Sequence, residues 1–260
     1  MELQRWTEQA VEAAQRAGRV IRAAWQLGGT QVNYKGRFNP VTEVDLESQR
    51  LIKDCLLTYN PTHDFLGEEG GGRDTGGEFL WIVDPLDGTK NFAHGYPHVS
   101  VSIGLQYQGK MVVGVVHDPL RGETFTSWRG GGAYLDGRAI QVSGTHELER
   151  ALLVTGFGLA SRVDCDIFWA LEEPSEGVRR DGSAALNLCY VACGRLDGYF
   201  QLNLYPWDVA AGALLVEEAG GTLTSYSGGR FQVAGRQLLA SNTHLHAEMV
   251  RRIKPFLDLL

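Results

Sequence analysis

An apolar stretch closes on two carboxylates and a glycine turn in Trp81-Ile82-Val83-Asp84-Pro85-Leu86-Asp87-Gly88-Thr89-Lys90-Asn91-Phe92, and those residue types suit a cation and a phosphate. Pro85 stops a strand and withdraws a backbone donor. Gly88 lets the chain come close to a ligand, and residues 89–92 can open a short helix whose free N–H groups face an anion. Carboxylates for a cation then stand beside amides for a phosphate. Taken alone, the segment reads equally well as a Pro and Asp-Gly turn between two structural elements.

Three further acids bear on that choice. Glu68 follows the short apolar stretch Phe65-Leu66, within Gly67-Glu68-Glu69. Asp208 stands in Tyr205-Pro206-Trp207-Asp208-Val209, ahead of the apolar helical run 210–219 and the turn Gly220-Gly221. Asp45 lies at the head of a helix carrying Leu51, Ile52, Cys55 and Leu56. Each also has a purely structural reading. Asp208 behind Pro206 suits a helix N-terminus, Thr42 with Asp45 makes a capping box, and Glu68 suits a solvated loop before Gly70-Gly71-Gly72.

If Glu68, Asp84, Asp87 and Asp208 converge, four negative charges share one pocket, and each uncompensated buried ion costs several kcal/mol. One lysine cannot neutralise them, whereas two divalent cations can. An all-oxygen ligand set selects Mg²⁺ or Mn²⁺ over zinc. Two such ions about 3.5–4 Å apart clamp the attacking and leaving oxygens of an in-line phosphoryl displacement. The implied reaction is phosphate monoester hydrolysis, whose uncatalysed slowness calls for stabilisation on the order of 20 kcal/mol.

These residues, taken together, resemble the inositol monophosphatase family of magnesium-dependent, lithium-sensitive phosphatases. GEE at 67–69, WIVDPLDGTKNF at 81–92 and WDVAAGALLVEEAGG at 207–221 come in family order and at family-like spacing. PHVSVSIGL at 97–105, RGGGAYLDGRAI at 129–140 and DGSAALNLCYVACGRLDGYF at 181–200 extend the likeness over nearly the whole chain. The resemblance implies Glu68, Asp84 and the Leu86 carbonyl as ligands of a first Mg²⁺, and Asp84, Asp87 and Asp208 as ligands of a second. A third, weaker ion would share Glu68. It further implies phosphate on the Gly88 and Thr89 amides, and a Thr89 hydroxyl paired with Asp45 that helps activate the attacking water. Lys35 aligns with a mobile-loop lysine, the possible lid, although Asn39 stands where the family usually has an acid.

On the substrate side, Gly182-Ser183-Ala184 resembles the loop that contacts substrate hydroxyls, with Asp87 and Asp208 accepting hydrogen bonds from them. Inositol-specific relatives generally place a glutamate where this chain has Gln201, after Tyr199-Phe200. Lys90 is similar to the nucleotide-bisphosphate branch, while Asn91-Phe92 is similar to the monophosphatase branch. The expected substrate is a small polyol or sugar phosphate, with myo-inositol 1-phosphate ahead of fructose 1,6-bisphosphate, histidinol phosphate and 3′-phosphoadenosine 5′-phosphate. A different class stays open: a catalytically quiet protein that binds the transcription machinery, as some relatives do.

Positioning those side chains falls to elements that the hydrophobic pattern marks out. Trp6, Ala10, Ala13, Ala17, Val20, Ile21 and Ala24 recur at helical spacing before Gly28-Gly29. A second helix is expected over 42–59, and strands over 99–107, 111–117 and 123–127. Beyond Gly144 strands and helices alternate: strand 152–155, helix 164–171, helix 183–193, strand 198–202, helix 207–219, strand 238–240 and helix 244–257. This order predicts an α/β protein, α+β in its N-terminal half and α/β in its C-terminal half, with the site in the crevice between them. The resemblance implies a layered α-β-α-β-α sandwich, a single catalytic domain over 1–260 with halves near 1–144 and 145–260, and a homodimer.

Composition sets the outer limits. At 260 residues and 43% hydrophobic content the chain can bury a large core. A net charge of −7 speaks against a nucleic-acid footprint. No apolar run reaches the ~18 residues of a membrane span, and Glu2, Arg5 and Glu8 do not fit a secretory signal, so the expected location is cytoplasmic. Four cysteines without CxxC spacing predict neither disulfides nor zinc. Seven histidines are present, and this chemistry needs none of them; His94 and His98 are read as packing or surface residues, with pocket lining the alternative for His94, and His244 and His246, near the start of the last helix, are assigned no chemistry.

Overall fold

A computed structural model describes residues 2–28, 32–36, 39–72, 74–156 and 162–259. The first helix, α1 (Glu2–Gln26), turns Ala10, Ala13, Ala14, Ala17 and Ile21 inward, and those small side chains let it lie close on its neighbours. An antiparallel pair, β1 (Val32–Gly36) and β2 (Asn39–Thr42), leads into α2 (Glu43–Tyr59). Then come β3 (Asp64–Gly67), β4 (Phe79–Asp87), the short α3 (Thr89–Ala93), β5 (Ser100–Tyr107), β6 (Lys110–Asp118), β7 (Glu123–Trp128), β8 (Gly132–Leu135) and β9 (Arg138–Ile140). The second half runs β10 (Leu152–Gly156), α4 (Arg162–Glu172), β11 (Gly177–Arg179), α5 (Ala184–Ala192), β12 (Gly198–Leu202), α6 (Pro206–Glu218), β13 (Thr222–Thr224), β14 (Gln237–Ser241) and α7 (His246–Ile253).

Strands β3 to β9 form a seven-stranded sheet in sequence order, parallel at β3/β4 and antiparallel elsewhere. A five-stranded sheet has the order β11-β10-β12-β14-β13 and mixes parallel with antiparallel pairs. The first sheet packs against α1 and α2 on one face and α6 on the other. In turn α5 joins α6 and reaches the second sheet, whose far side carries α4 and α7. This is the expected α-β-α-β-α layering.

Two glycines decide how closely α6 can sit on the first sheet. Gly104 and Gly114 are opposite each other across β5 and β6. A Cβ on Gly104 would come within 3.0 Å of Ala210 Cβ, and one on Gly114 within 2.6 Å of the Ala211 carbonyl oxygen. Only the missing side chains allow that approach. The α6 face meeting the sheet is wholly apolar, with Ala210, Ala211 and Leu214 fully buried.

The elements expected over 99–127 and 152–240 coincide with β5–β7, β10, α4, α5, β12, α6 and β14 to within two residues at either end. The last helix differs: it stops at Ile253, and the chain tightens to a 3₁₀ helix over Lys254–Leu259. Pro255 lacks the amide an α-helix needs, and its ring clashes with the preceding turn. The hairpin β8/β9 was not foreseen. It turns on Asp136 and Gly137, both at positive φ (48° and 77°), the geometry a two-residue hairpin loop demands. Among the described residues, no helix is long and apolar enough to cross a membrane.

Candidate active site

Register brings the first two acids together. Because β3 runs parallel to β4 with Gly67 opposite Val83, the next residue on each strand is an acid: Glu68 beside Asp84. The Glu68 amide continues the ladder onto the Val83 carbonyl at 3.2 Å. Asp84 and Asp87 are three apart, and in a regular strand such residues point to opposite faces. The pairing slips between them, Asp84 opposing Ser102 and Asp87 opposing Ser100. That extra residue in β4, at Pro85-Leu86, is a bulge that returns both carboxylates to one side.

Asp84, Asp87 and Asp208 are each held by backbone or hydroxyl donors. The Leu86 amide donates to Asp84 Oδ1 at 3.0 Å. Asp87 Oδ2 accepts from the Ser183 hydroxyl at 2.6 Å and from the Ala185 amide, at the start of α5, at 2.8 Å. Asp208, third residue of α6 behind Pro206, accepts the Tyr205 amide at 2.7 Å. The Ser102 hydroxyl donates to the Trp207 carbonyl at 3.2 Å, tying that helix end to β5.

The electrostatics are those of crowded acids. Burial, then the charges of Glu68, Asp87 and Asp208, pushes the Asp84 carboxyl well above the usual carboxylate range. Burial raises Asp87 to about 6 even though the Ser183 hydroxyl and the α5 amides pull the other way. Asp208 is pushed up to about 8 by burial and by Asp87, against the Tyr205 amide and a weaker attraction from Arg236. Such mutual repulsion marks a place where positive charge is needed, and an all-oxygen donor set fits a hard divalent ion. Among the described residues, no three His, Cys, Asp or Glu side chains form a ready metal cage as they stand. The charge and the donor chemistry, rather than a closed cage, support the cation reading.

Thr89 and Asp45 meet as expected. The hydroxyl of Thr89 lies 3.0 Å from Asp45 Oδ1 and 3.1 Å from the Leu86 carbonyl. Asp45 is also the capping-box residue of α2, accepting from the Thr42 amide at 2.8 Å and the Thr42 hydroxyl at 2.5 Å. One carboxylate oxygen of Asp45 thus caps the helix while the other meets the Thr89 hydroxyl. Burial raises its pKa against those hydrogen bonds. Gly88 has φ of 97°, and a Cβ there would stand 2.9 Å from the His98 carbonyl, so only glycine is comfortable at this turn.

A cleft of about 510 Å³ opens on Asp87, Asp208, Lys90, Gly182, Ala184 and Gln201. A larger groove of about 850 Å³ runs past Met111 and Phe231 and contains none of the four acids, so chemistry selects the smaller one. Ser183 stands behind the cleft lining. Its hydroxyl is fully buried, caps α5 and is engaged with Asp87, so it steadies an acid, and Gly182 and Ala184 make the cleft wall. Gln201 Oε1 accepts the Tyr199 hydroxyl at 2.6 Å. Lys35 falls on β1, and its side chain lies outside the described residues.

Sequence reasoning missed two supporting side chains. Gln49 holds the turn that carries Glu68, donating to the Gly70 carbonyl at 2.8 Å and accepting the Glu69 amide at 3.0 Å. Asn91 donates to the carbonyls of His98 and Asp181, each at 2.7 Å, and so ties α3 to the loop before α5. No local pattern identifies Gln49. Asn91 lies inside the acid-bearing segment, but its partner is 90 residues away.

Comparison with known proteins adds independent findings. A family model described as the inositol monophosphatase family matches residues 2–255. The chain is 43% identical over 258 residues to Nus factor SuhB of Pseudomonas aeruginosa, covering 95% of each. It is 42% identical over 254 residues to inositol-1-monophosphatase of a Synechocystis species, covering 95% of this chain and 88% of that one. Among solved structures, inositol monophosphatase from an Anabaena (Nostoc) species superposes with a TM-score of 0.88 at 38% identity, over 100% of both chains.

Proposed function

The chain belongs to the inositol monophosphatase family and is a phosphatase of phosphoric monoesters, and from that premise we propose that it hydrolyses a small polyol or sugar phosphate, myo-inositol 1-phosphate foremost, with Mg²⁺. The observation that carries the reading is the mutual crowding of Glu68, Asp84, Asp87 and Asp208, of which Asp87 and Asp208 open on the cleft, together with the Thr89–Asp45 pair. Glu68, Asp84 and the Leu86 carbonyl would hold one ion, and Asp84, Asp87 and Asp208 a second. Glu68 would also serve a third, and Mn²⁺ is a suitable substitute. When bound, the ions offset the charge that develops on the attacking and leaving oxygens.

The residues of the chain do the rest. Thr89 Oγ1 accepts a hydrogen bond from the attacking water while giving its own proton to Asp45, which orients the water and opens a path for its proton. The Gly88 and Thr89 amides hold the phosphate. Gly182, Ala184 and Gln201 face the alcohol, and Lys35 closes over it. The protein acts as one catalytic unit with halves near 1–144 and 145–260, as a cytoplasmic homodimer.

Phosphate release from myo-inositol 1-phosphate under a Mg²⁺ titration tests this. Asp84→Asn is expected to cut turnover more than about a hundredfold with an unchanged circular dichroism spectrum, and retained turnover would reject the ligand assignment. The likeness to Nus factor SuhB supports a second reading, a binding partner of the transcription machinery. Co-elution of the purified protein with that machinery, unaffected by Asp84→Asn, would be its signature.

A further inference from the structure

Of the seven histidines, His63, His98, His117 and His246 are buried, while His94, His146 and His244 are exposed. Two of the exposed three stand ring against ring: the centroids of His146 and His244 are 3.8 Å apart, with 41° between the planes. Among the described residues, neither imidazole has a hydrogen-bond or ion-pair partner, so the ring nitrogens are open to a ligand from solution. A buried amide fixes the backbone beneath both. Asn242, fully buried, donates to the Thr145 carbonyl at 3.0 Å and to the Ser143 hydroxyl at 2.8 Å, and accepts the Leu245 amide at 3.0 Å. Thr145 precedes His146 and Leu245 follows His244, so one side chain holds a neighbour of each. Asp197 secures the arrangement, its carboxylate accepting the Ser143 hydroxyl at 2.6 Å and its carbonyl the Asn242 amide at 3.1 Å. Two loops distant in the chain are thereby locked together, and the rings are paired before any ligand arrives.

We propose that His146 and His244 form a metal site, distinct from the acid cluster, that takes a borderline divalent cation such as Zn²⁺, Ni²⁺ or Cu²⁺. Imidazole nitrogen suits those ions, whereas the carboxylates of the cleft suit Mg²⁺. The site is bidentate. Glu147, next in sequence, pairs with Arg150 at 3.3 Å, and among the described residues no third His, Cys, Asp or Glu completes a cage, so water fills the remaining positions. Metal–nitrogen bonds of about 2.0–2.1 Å set two rings on one ion roughly an ångström farther apart than these stand, an opening that exposed side chains make by rotation. A bound ion ties the loop after β9 to the loop before α7 and so favours the folded chain over the unfolded one.

The test uses the full chain free of any histidine tag, with saturating Mg²⁺ to occupy the acids. Titration calorimetry with Ni²⁺ is expected to show one ion per chain, and His146→Gln and His244→Gln each to weaken its binding more than about tenfold. Cu²⁺ at one equivalent should show coupling to two nitrogens in its electron paramagnetic resonance spectrum, and to one at most in either variant. Zn²⁺ at about ten times its Kd should raise Tm by roughly 3–6 °C in the unaltered protein and not in the double variant. Phosphate release with Mg²⁺ alone should be unchanged in all three variants, since neither histidine lines the cleft. Ni²⁺ binding of equal strength in the variants, a Cu²⁺ spectrum without nitrogen coupling, or an equal rise in Tm in the double variant overturns the site. So does an ion that is lost in Asp84→Asn but kept in the histidine variants, which would place it among the acids.

Discussion

Replacing Asp208 by asparagine should stabilise the metal-free protein at alkaline pH, and the expected size follows from the site. In the folded protein this carboxyl releases its proton only near pH 8, against 3.8 as the ordinary value. Between those values the folded state holds a proton that the unfolded chain has lost, so stability falls as pH rises. The buried histidines act in the opposite sense, but only below their ordinary value of 6.5. From pH 6.5 to 8 the acids therefore act without them. At roughly 1.4 kcal/mol per pH unit, Asp208 costs up to about 2 kcal/mol over that window, and less where cleft water reaches it. For a chain of this size that lowers Tm by roughly 3–8 °C. Asparagine can still accept the Tyr205 amide, so the α6 cap survives the change.

The assay is differential scanning calorimetry of chelator-treated protein at pH 6.5, 7.2 and 8. The unaltered protein should lose Tm across the series, whereas Asp208→Asn should lose less and melt higher at pH 8. Added Mg²⁺ should raise the Tm of the unaltered protein far more than that of the variant. A Tm that climbs from pH 6.5 to 8 without divalent ions, or a variant that melts lower at pH 8, would refute the argument from crowded acids.

Other perturbations test the supports. Gly114→Ala drives a Cβ against the Ala211 carbonyl and should cost about 1–3 kcal/mol in urea unfolding, with a fall in kcat as α6 shifts Asp208; an unchanged midpoint would show that the sheet and helix have slack. His246, buried between Thr224 and Ser241 at 2.9 and 2.8 Å, is held down to about 4 by burial. The unfolded chain therefore binds its proton first, and stability should drop as pH falls from 6.5 towards 4. In His246→Gln that acid-limb slope should be shallower, and identical slopes in urea titrations would argue against the assignment. Asn91→Ala strips donors from two carbonyls and should cost roughly 1–3 kcal/mol while raising KM; a variant of unchanged stability would mean that the α3 clamp is dispensable.

Much of the site could be read from local signals. Gly88 announced the turn after β4, with a φ of 97° that tolerates little else, and Thr42 with Asp45 announced the start of α2; Pro85, expected to stop the strand, instead lies inside β4 at its bulge, and the strand runs on to Asp87. Periodicity placed the long helices and central strands, because burying one face repeats every 3.6 or every two residues. Short β8 and β9 escaped it, since a strand of three or four residues carries no period. The partner of the Ser183 hydroxyl escaped for a related reason. A hydroxyl at a helix N-cap looks the same in sequence whether it faces a ligand or, as here, the buried Asp87.

The sequence by itself determined which chemistry was available: oxygen donors in quantity, a glycine turn for an anion, a threonine with an acid to pair with it, and Gln201 where a glutamate is usual. Residue type and nearest-neighbour conformational preference are properties of a few consecutive residues, so they survive without the fold. Which acids meet was decided only in three dimensions. The β3/β4 register places Glu68 beside Asp84, a one-residue bulge turns Asp87 to the same side, and the Gly104/Gly114 pair lets α6 carry Asp208 onto the sheet. Each depends on contacts between segments distant in the chain, where the free energy of packing rather than any local preference sets the geometry.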